Sequence, residues 1–132
     1  MIAGADDGVV SLDDITTPTF HAAPAPSSLW VIDRAGHNAF DDFCTIGNGK
    51  GIIGIAEASG LGPFLDSMPQ LRSLGADGCL PPDAPVEQVW PIIRHAVTAW
   101  IYEQAGLDPT AAGDLTPDVA GSYDVGVTIT EK

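Results

Sequence analysis

Residues Ser28-Leu-Trp-Val-Ile-Asp-Arg-Ala-Gly-His-Asn-Ala-Phe-Asp-Asp-Phe-Cys44 constrain the fold more than any other stretch of the chain. Leu29–Ile32 is a short unbroken apolar run, the pattern of a strand covered on both faces. Asp33-Arg34 ends the run, and Ala35-Gly36 turns the backbone so that His37 is held just past the strand. Asn38 can cap a short helix beyond the turn, and Phe40 and Phe43, three apart, share one face of it. Open α/β sheets carry their chemistry on loops at the carboxyl ends of parallel strands. Histidine is the usual general base near neutral pH. His37 is therefore the first candidate functional residue, against the plainer role of a helix cap or of a bond to a backbone carbonyl.

The segment Ala35-Gly-His37-Asn-Ala-Phe-Asp-Asp-Phe-Cys44 resembles the catalytic-histidine segment of α/β-hydrolases. The closest group includes dienelactone hydrolases, platelet-activating-factor acetylhydrolases and bacterial lipases or polyesterases. Upstream, Met1-Ile-Ala-Gly4-Ala-Asp-Asp7-Gly-Val-Val-Ser11 resembles the strand and loop that carry the family's catalytic acid. That acid maps onto Asp7, with Asp6 as the alternative. Acid before histidine, each after a strand, is the family's chain order. The resemblance runs from Met1 to about Leu107 and leaves residues 108–132 as an acidic, Pro- and Gly-rich tail. It implies an α/β fold: the last two parallel strands of a hydrolase sheet, the histidine loop and the C-terminal helix, with the sheet incomplete. It further implies a serine esterase or lipase acting on carboxylic esters, with no cofactor and no metal.

One of the three roles is missing. The family's nucleophile sits in a G-x-S-x-G elbow upstream of the acid, and no such motif occurs in this chain. The serines are residues 11, 27, 28, 59, 67, 73 and 122. Ser59, in Glu-Ala-Ser-Gly-Leu-Gly, comes nearest but lies after the histidine and lacks the first glycine. A Ser–His–Asp site needs a hydroxyl to activate and an acid to orient the base. The chain thus reads as the C-terminal part of a serine hydrolase, expected to be inactive alone, with Met1 an internal methionine of a longer protein. The ester substrate belongs to the complete enzyme, and the missing N-terminal part of the fold is an expected partner. Rival readings are a non-catalytic remnant that binds a partner, and an enzyme completed across a dimer with Ser59 or Cys44 as nucleophile. A metal site from His37, Asp41, Asp42 and Cys44 has no recognised ligand spacing.

Size and charge fit the fragment. At 132 residues the chain is about half the roughly 200–250 residues that a full α/β core often takes. Five Lys and Arg against 18 Asp and Glu give a net charge of −13. Such a surface is repelled by the nucleic-acid backbone and by anionic lipid, which argues against either as a partner. No run approaches the ~18 apolar residues of a membrane span, and no EF-hand spacing is present. Met1-Ile-Ala-Gly lacks the basic start and long apolar core of a signal peptide. Cys44 and Cys79 are the only cysteines. Related secreted hydrolases often carry a disulfide in this region, so the resemblance implies a Cys44–Cys79 bond and secretion of the complete protein, with two separate buried thiols as the alternative.

Elsewhere the pattern is weaker. Asp13-Asp14 can open one helical turn that Pro18 limits, and residues 19–26, with His21, read as an exposed connector. No amphipathic helix separates the two strands, so their crossover is short or irregular. Ile52–Ala58 fits a helix or a buried turn. Ile53, Ile55 and Phe64 read first as packing residues, and the hydrolase resemblance offers acyl-chain contact as the alternative role. Residues 63–74 have helical spacing broken or kinked at Pro69. Val86–Gln104 is the clearest helix: Val86, Val89 or Trp90, Ile93, Val97, Trp100 and Ile101 form one apolar stripe. Asp83 is the expected N-cap, Pro91 the expected kink, Gly106 the terminator and His95 a solvent-facing residue. Two strands cannot cover that stripe, and much of it is expected to lack a partner. Tyr123–Thr130 alternates and is β-branched, which suits an edge strand.

Overall fold

The computed structural model describes residues 1–132, a small α/β protein with a three-stranded mixed sheet and six α-helices. Strand β1 (Ile2–Gly4) pairs parallel with β2 (Ser28–Ile32), in a register that sets Ala3 opposite Val31. Strand β3 (Val127–Glu131) pairs antiparallel with the other edge of β2, setting Trp30 opposite Ile129. The sheet order is therefore β1-β2-β3, with the apolar β2 in the centre.

Alternation along β2 sends its side chains to two different cores, since neighbouring residues of a strand face opposite ways. Leu29 meets Ala3 and Phe20 in a small cluster on one face. Trp30 and Ile32 join the main cluster on the other, against α5 (Val86–Gln104) through Val86, Val89, Ile92 and Ala96. Both faces of β2 are covered, as its unbroken apolar sequence requires.

The β1–β2 crossover is short, and it is more ordered than an exposed connector. A π-helical turn over Leu12–Thr16, capped by the Ser11 side chain, leads directly into α1 (Thr17–Ala22). Pro18 stands in the first turn of α1, where a missing N–H costs nothing, so it starts a helix instead of limiting one. Phe20 is 2% exposed and seals the smaller core, while His21 beside it faces solvent.

The helix over Val86–Gln104 has the expected bounds and a different buried face. Val86, Val89, Ile92, Ala96 and Ala99 point inward, while Val97, Trp100 and Ile101 are 42%, 52% and 46% exposed. The two alanines give the sheet a close approach, and the bulky residues one position on are left at the margin. The expectation that much of the stripe lacks a partner holds. The helix runs unbroken through Pro91. The carbonyl that loses its donor is that of exposed Glu87, which water can serve. Its N-cap is Pro85, not Asp83, whose Oδ2 instead accepts from the Gly78 N–H at 2.8 Å. Gly106, at φ +64°, ends the helix as expected. His95 is half-buried: its Nε2 bonds the Asp114 carbonyl oxygen at 2.8 Å, and its ring lies 6.0 Å from Tyr123 and 6.5 Å from Trp30.

Between the histidine loop and α5 lie α2 (Gly51–Ala58), α3 (Gly62–Asp66) and α4 (Pro69–Ala76), with Pro69 opening the last of them. Arg72 ties this region together by bonding Glu57 at 2.7 Å and Asp66 at 3.0 Å. After α5, the chain passes through a 3₁₀ turn over Ala111–Leu115 and α6 (Pro117–Ala120) before reaching β3. Ala120 and Val125 are part of the main core, so the tail is packed into the same body as the rest. No helix is long and apolar enough to cross a membrane.

Candidate catalytic acid–base site

Residue types at the carboxyl ends of β1 and β2 decide how close the two loops come. The Ala5 N–H still bonds the Ile32 carbonyl at 2.9 Å, and the Asp6 N–H then bonds the Ala35 carbonyl at 3.2 Å. Gly4 makes this approach possible, because a Cβ there would overlap the Ala35 carbonyl oxygen. With no side chain between them, the loop after β1 lies directly against the loop after β2.

Asp7 and His37 meet across that contact. Asp7 Oδ2 stands 3.1 Å from His37 Nδ1. The other carboxylate oxygen, Oδ1, accepts from the backbone N–H groups of Val9 and Val10 at 2.9 and 2.7 Å. Two backbone donors on one oxygen hold the carboxylate plane and leave the second oxygen for the imidazole. The Asp7 side chain is 8% exposed and that of His37 is 40% exposed. The acid is thus buried behind the ring, and the ring's outer nitrogen, Nε2, takes part in no hydrogen bond and is left to solvent. Of the two acids read from the sequence, Asp7 is the one paired with the histidine. Asp6 is exposed and lines a surface pocket together with Asp83.

The histidine loop is supported from below. His37–Phe40 forms one 3₁₀ turn, with Asn38 and Ala39 buried. Trp90 Nε1 donates to the Ala39 carbonyl at 3.1 Å, which fastens the loop to α5. Asn38 is not the cap of a helix here. Its Nδ2 donates to the Asp77 carbonyl at 2.8 Å, and so does its backbone N–H at 2.9 Å. Cys44 and Cys79 are joined in a disulfide, which closes the segment beyond the base. Asp77 carries contacts to both loops, and its only signal in the sequence is its place in Asp77-Gly-Cys79.

A small cavity of about 180 Å³ opens beside the pair, lined by Ile2, Ala3, Asp7, Val10, Thr16, His37 and Phe40. None of Ile53, Ile55 and Phe64 reaches it. Ile53 is 3% exposed and packs under Gly75, while Ile55 and Phe64 stand out into solvent. No serine hydroxyl bonds His37, and Ser59 sits at the C-terminal end of α2. Cys44 is committed to its disulfide, which removes it both as a nucleophile and as a metal ligand beside Asp41 and Asp42. Asp41 spends one carboxylate oxygen on the Phe43 N–H.

The chain matches no protein-family model, and comparison with curated proteins and with solved structures finds no significant similarity. The acid–base pair and its surroundings therefore carry the functional reading on their own.

Proposed function

We propose that this chain is the acid–base half of a serine carboxylic-ester hydrolase of the α/β-hydrolase type. The observation that carries the reading is the Asp7–His37 contact, with the acid pinned by two backbone N–H groups and the outer ring nitrogen open. That is the geometry of a base whose tautomer is fixed from behind. A carboxylate on Nδ1 holds the proton there, leaves Nε2 unprotonated and stabilises the imidazolium that forms in turnover. His37 takes the proton of a serine hydroxyl supplied by sequence outside these 132 residues, then returns it to the leaving alcohol. Asp7 never takes the proton itself. The oxyanion-hole donors come from the same outside part, because the residue after the nucleophile supplies one of them. The disulfide supports secretion, since such bonds persist in oxidising compartments.

The test is the chain extended in frame upstream of Met1 through a strand–Gly-x-Ser-x-Gly–helix segment. The extended protein hydrolyses a small aryl ester. His37→Ala or Asp7→Asn then lowers kcat by roughly 10³-fold or more, as triad substitutions do. The 132-residue chain alone shows no turnover above background and no labelling by a fluorophosphonate. Turnover by the isolated chain that disappears on His37→Ala would refute the missing nucleophile.

A second reading rests on the surface beside β1. Met1, Ile2, Trp30, Ile93, Val97, Trp100 and Ile101 help line an open apolar groove of about 470 Å³ there. The odd residues of β1 bond β2, as the Trp30 N–H to Met1 and the Ala5 N–H to Ile32 show, so Ile2 and Gly4 turn their backbone groups outward. An open strand edge beside an apolar groove invites another chain. On this reading the protein is a non-catalytic remnant that binds a complementary segment. Sedimentation of the chain with and without the upstream segment tests it, since complex formation without esterase activity is the result it predicts.

A further inference from the structure

We propose that Asp77 is a positioning residue that sets the distance between the acid loop and the base loop; the inference rests on reading Asp7 and His37 as the acid and the base. Asp77 lies between α4 and α5, yet it touches residues next to both members of the pair. Its Oδ2 accepts from the N–H of Gly8, the residue after the acid, at 2.8 Å. Its backbone oxygen accepts from Asn38, the residue after the base, through both the main-chain N–H at 2.9 Å and Nδ2 at 2.8 Å. Asn38 is 8% exposed, so those bonds are made out of water and are costly to lose. On the other side of the base, a Cβ at Gly36 would overlap Asp77 Oδ1, so the carboxylate occupies the room that Gly36 leaves.

One side chain is thereby wedged between the residue after the acid and the residue before the base. The wedge is itself fixed. The Gly78 N–H bonds Asp83 Oδ2 at 2.8 Å, and Cys79 is tied through its disulfide to Cys44, beyond the base on the same loop. Asp77 hydrogen-bonds neither the His37 ring nor the Asp7 carboxylate. It acts through Gly8 on where Asp7 points, and through Asn38 and Gly36 on where His37 stands. An acid–base bond of 3.1 Å leaves little slack, because hydrogen bonds weaken beyond this range.

What the position needs is an acceptor toward Gly8, not a negative charge. Asp6 and Asp83 line the same surface pocket as Asp77, and the Asp83 pKa is raised first by burial and then by the charges of Asp77 and Asp6. Asparagine keeps an acceptor oxygen of the same reach, while alanine keeps none.

The experiment is nitrogen-15 NMR of the 132-residue chain near pH 8, above the ordinary His value of about 6.5. It reads the ratio of the Nδ1–H to the Nε2–H form of the His37 ring. The wild-type ring is expected in the Nδ1–H form, and Asp7→Asn reverses it. Asp77→Ala lowers the ratio roughly tenfold, the effect of losing one hydrogen bond to the acid loop, while backbone signals of β2, β3 and α5 stay in place. Asp77→Asn keeps the wild-type ratio. Where Asp77→Ala does not fold, Asp77→Ser, whose hydroxyl cannot reach Gly8, carries the same expectation. An unchanged ratio in Asp77→Ala or Asp77→Ser overturns the proposal, and so does a loss in Asp77→Asn equal to that in alanine. A ratio that Asp7→Asn leaves unmoved overturns the acid–base reading itself, whatever Asp77 does.

Discussion

Removal of the disulfide is the perturbation whose cost can be worked most directly from the fold. Cys44 and Cys79 are 35 residues apart in sequence. In the chain-entropy treatment, a cross-link closing a loop of that length stabilises the native state by about 4 kcal/mol at 25 °C. The enclosed stretch is the part of the protein with least else to hold it. Between the two cysteines the buried large side chains are Ile53 and Leu65, whereas Ile52, Ile55, Leu61, Phe64, Met68, Leu71 and Leu74 are exposed. Little apolar burial therefore stands in for the lost cross-link. Domains of this size have only about 5–15 kcal/mol of total stability, so Cys44→Ala/Cys79→Ala is expected to leave a marginal fold. Urea unfolding monitored by tryptophan fluorescence is the assay. With a slope of about 2 kcal/mol per molar, the midpoint falls by about 2 M in the double variant. A fall of less than about 0.5 M would show that the loop is held by its own contacts and not by closure.

Gly4→Ala drives a Cβ into the Ala35 carbonyl oxygen, so the ends of β1 and β2 must part. It is expected to cost about 3 kcal/mol and to remove the Nδ1–H signal of His37. Gly62→Ala, where a Cβ meets nothing, is the matched control and stays within about 0.5 kcal/mol in the same urea series. Asp83→Asn tests the acidic crowding. Burial first, and then Asp77 and Asp6, raise the Asp83 pKa above the ordinary 3.8, against the lowering bond from Gly78. A carboxyl whose folded pKa is raised makes stability fall as pH rises from the unfolded to the folded value, and the full penalty persists above it. Asparagine still accepts from Gly78 and carries no charge. Asp83→Asn is therefore more stable than the native chain at neutral pH, with an advantage that disappears below the unfolded pKa. Thermal melts at about pH 7 and near pH 3 read the difference, and an equal gain at both would rule out ionisation as its cause.

How much of the fold is legible in the sequence depends on how local each cause is. The β2 run, the bounds of α5, the break at Pro69 and the terminator Gly106 are set by neighbours within a few residues, and each stands where the sequence puts it. The pairing of Asp7 with His37 requires only two short strands in parallel and a glycine to let their loops touch. Three features have non-local causes and differ from the sequence expectation. The buried face of α5 turns by one position because Ala96 and Ala99 fit the sheet more closely than Val97 and Trp100, and hydrophobicity alone does not rank small against large. Phe20 looks like part of an exposed connector because a helix of six residues is too short to show periodicity. His95 looks solvent-facing because Trp30 and Tyr123, which flank it, come from distant parts of the chain. The role of Asp77 is hidden for the same reason, since its partners Gly8 and Asn38 lie 69 and 39 residues away.

Burial separates the Asp7–His37 contact from the open apolar surface. The acid–base pair draws on β1, β2, the 77–79 strap and one tryptophan of α5, all of which are inside the folded body. The apolar groove draws on the outer side of β1 and the far half of α5, and it stays open. The two regions share Ile2, which lines both the cavity beside His37 and the groove. A parallel strand added to the outer edge of β1 would bring its own carboxyl end level with the loop that carries Asp7, because parallel neighbours in a sheet run in the same direction. Residues at that end would arrive beside the loop whose Asp7 bonds His37. On the proposed function, closure of the groove and delivery of a nucleophile are then consequences of one pairing event. On that proposal, the open edge and the missing nucleophile would be answered by the same neighbour.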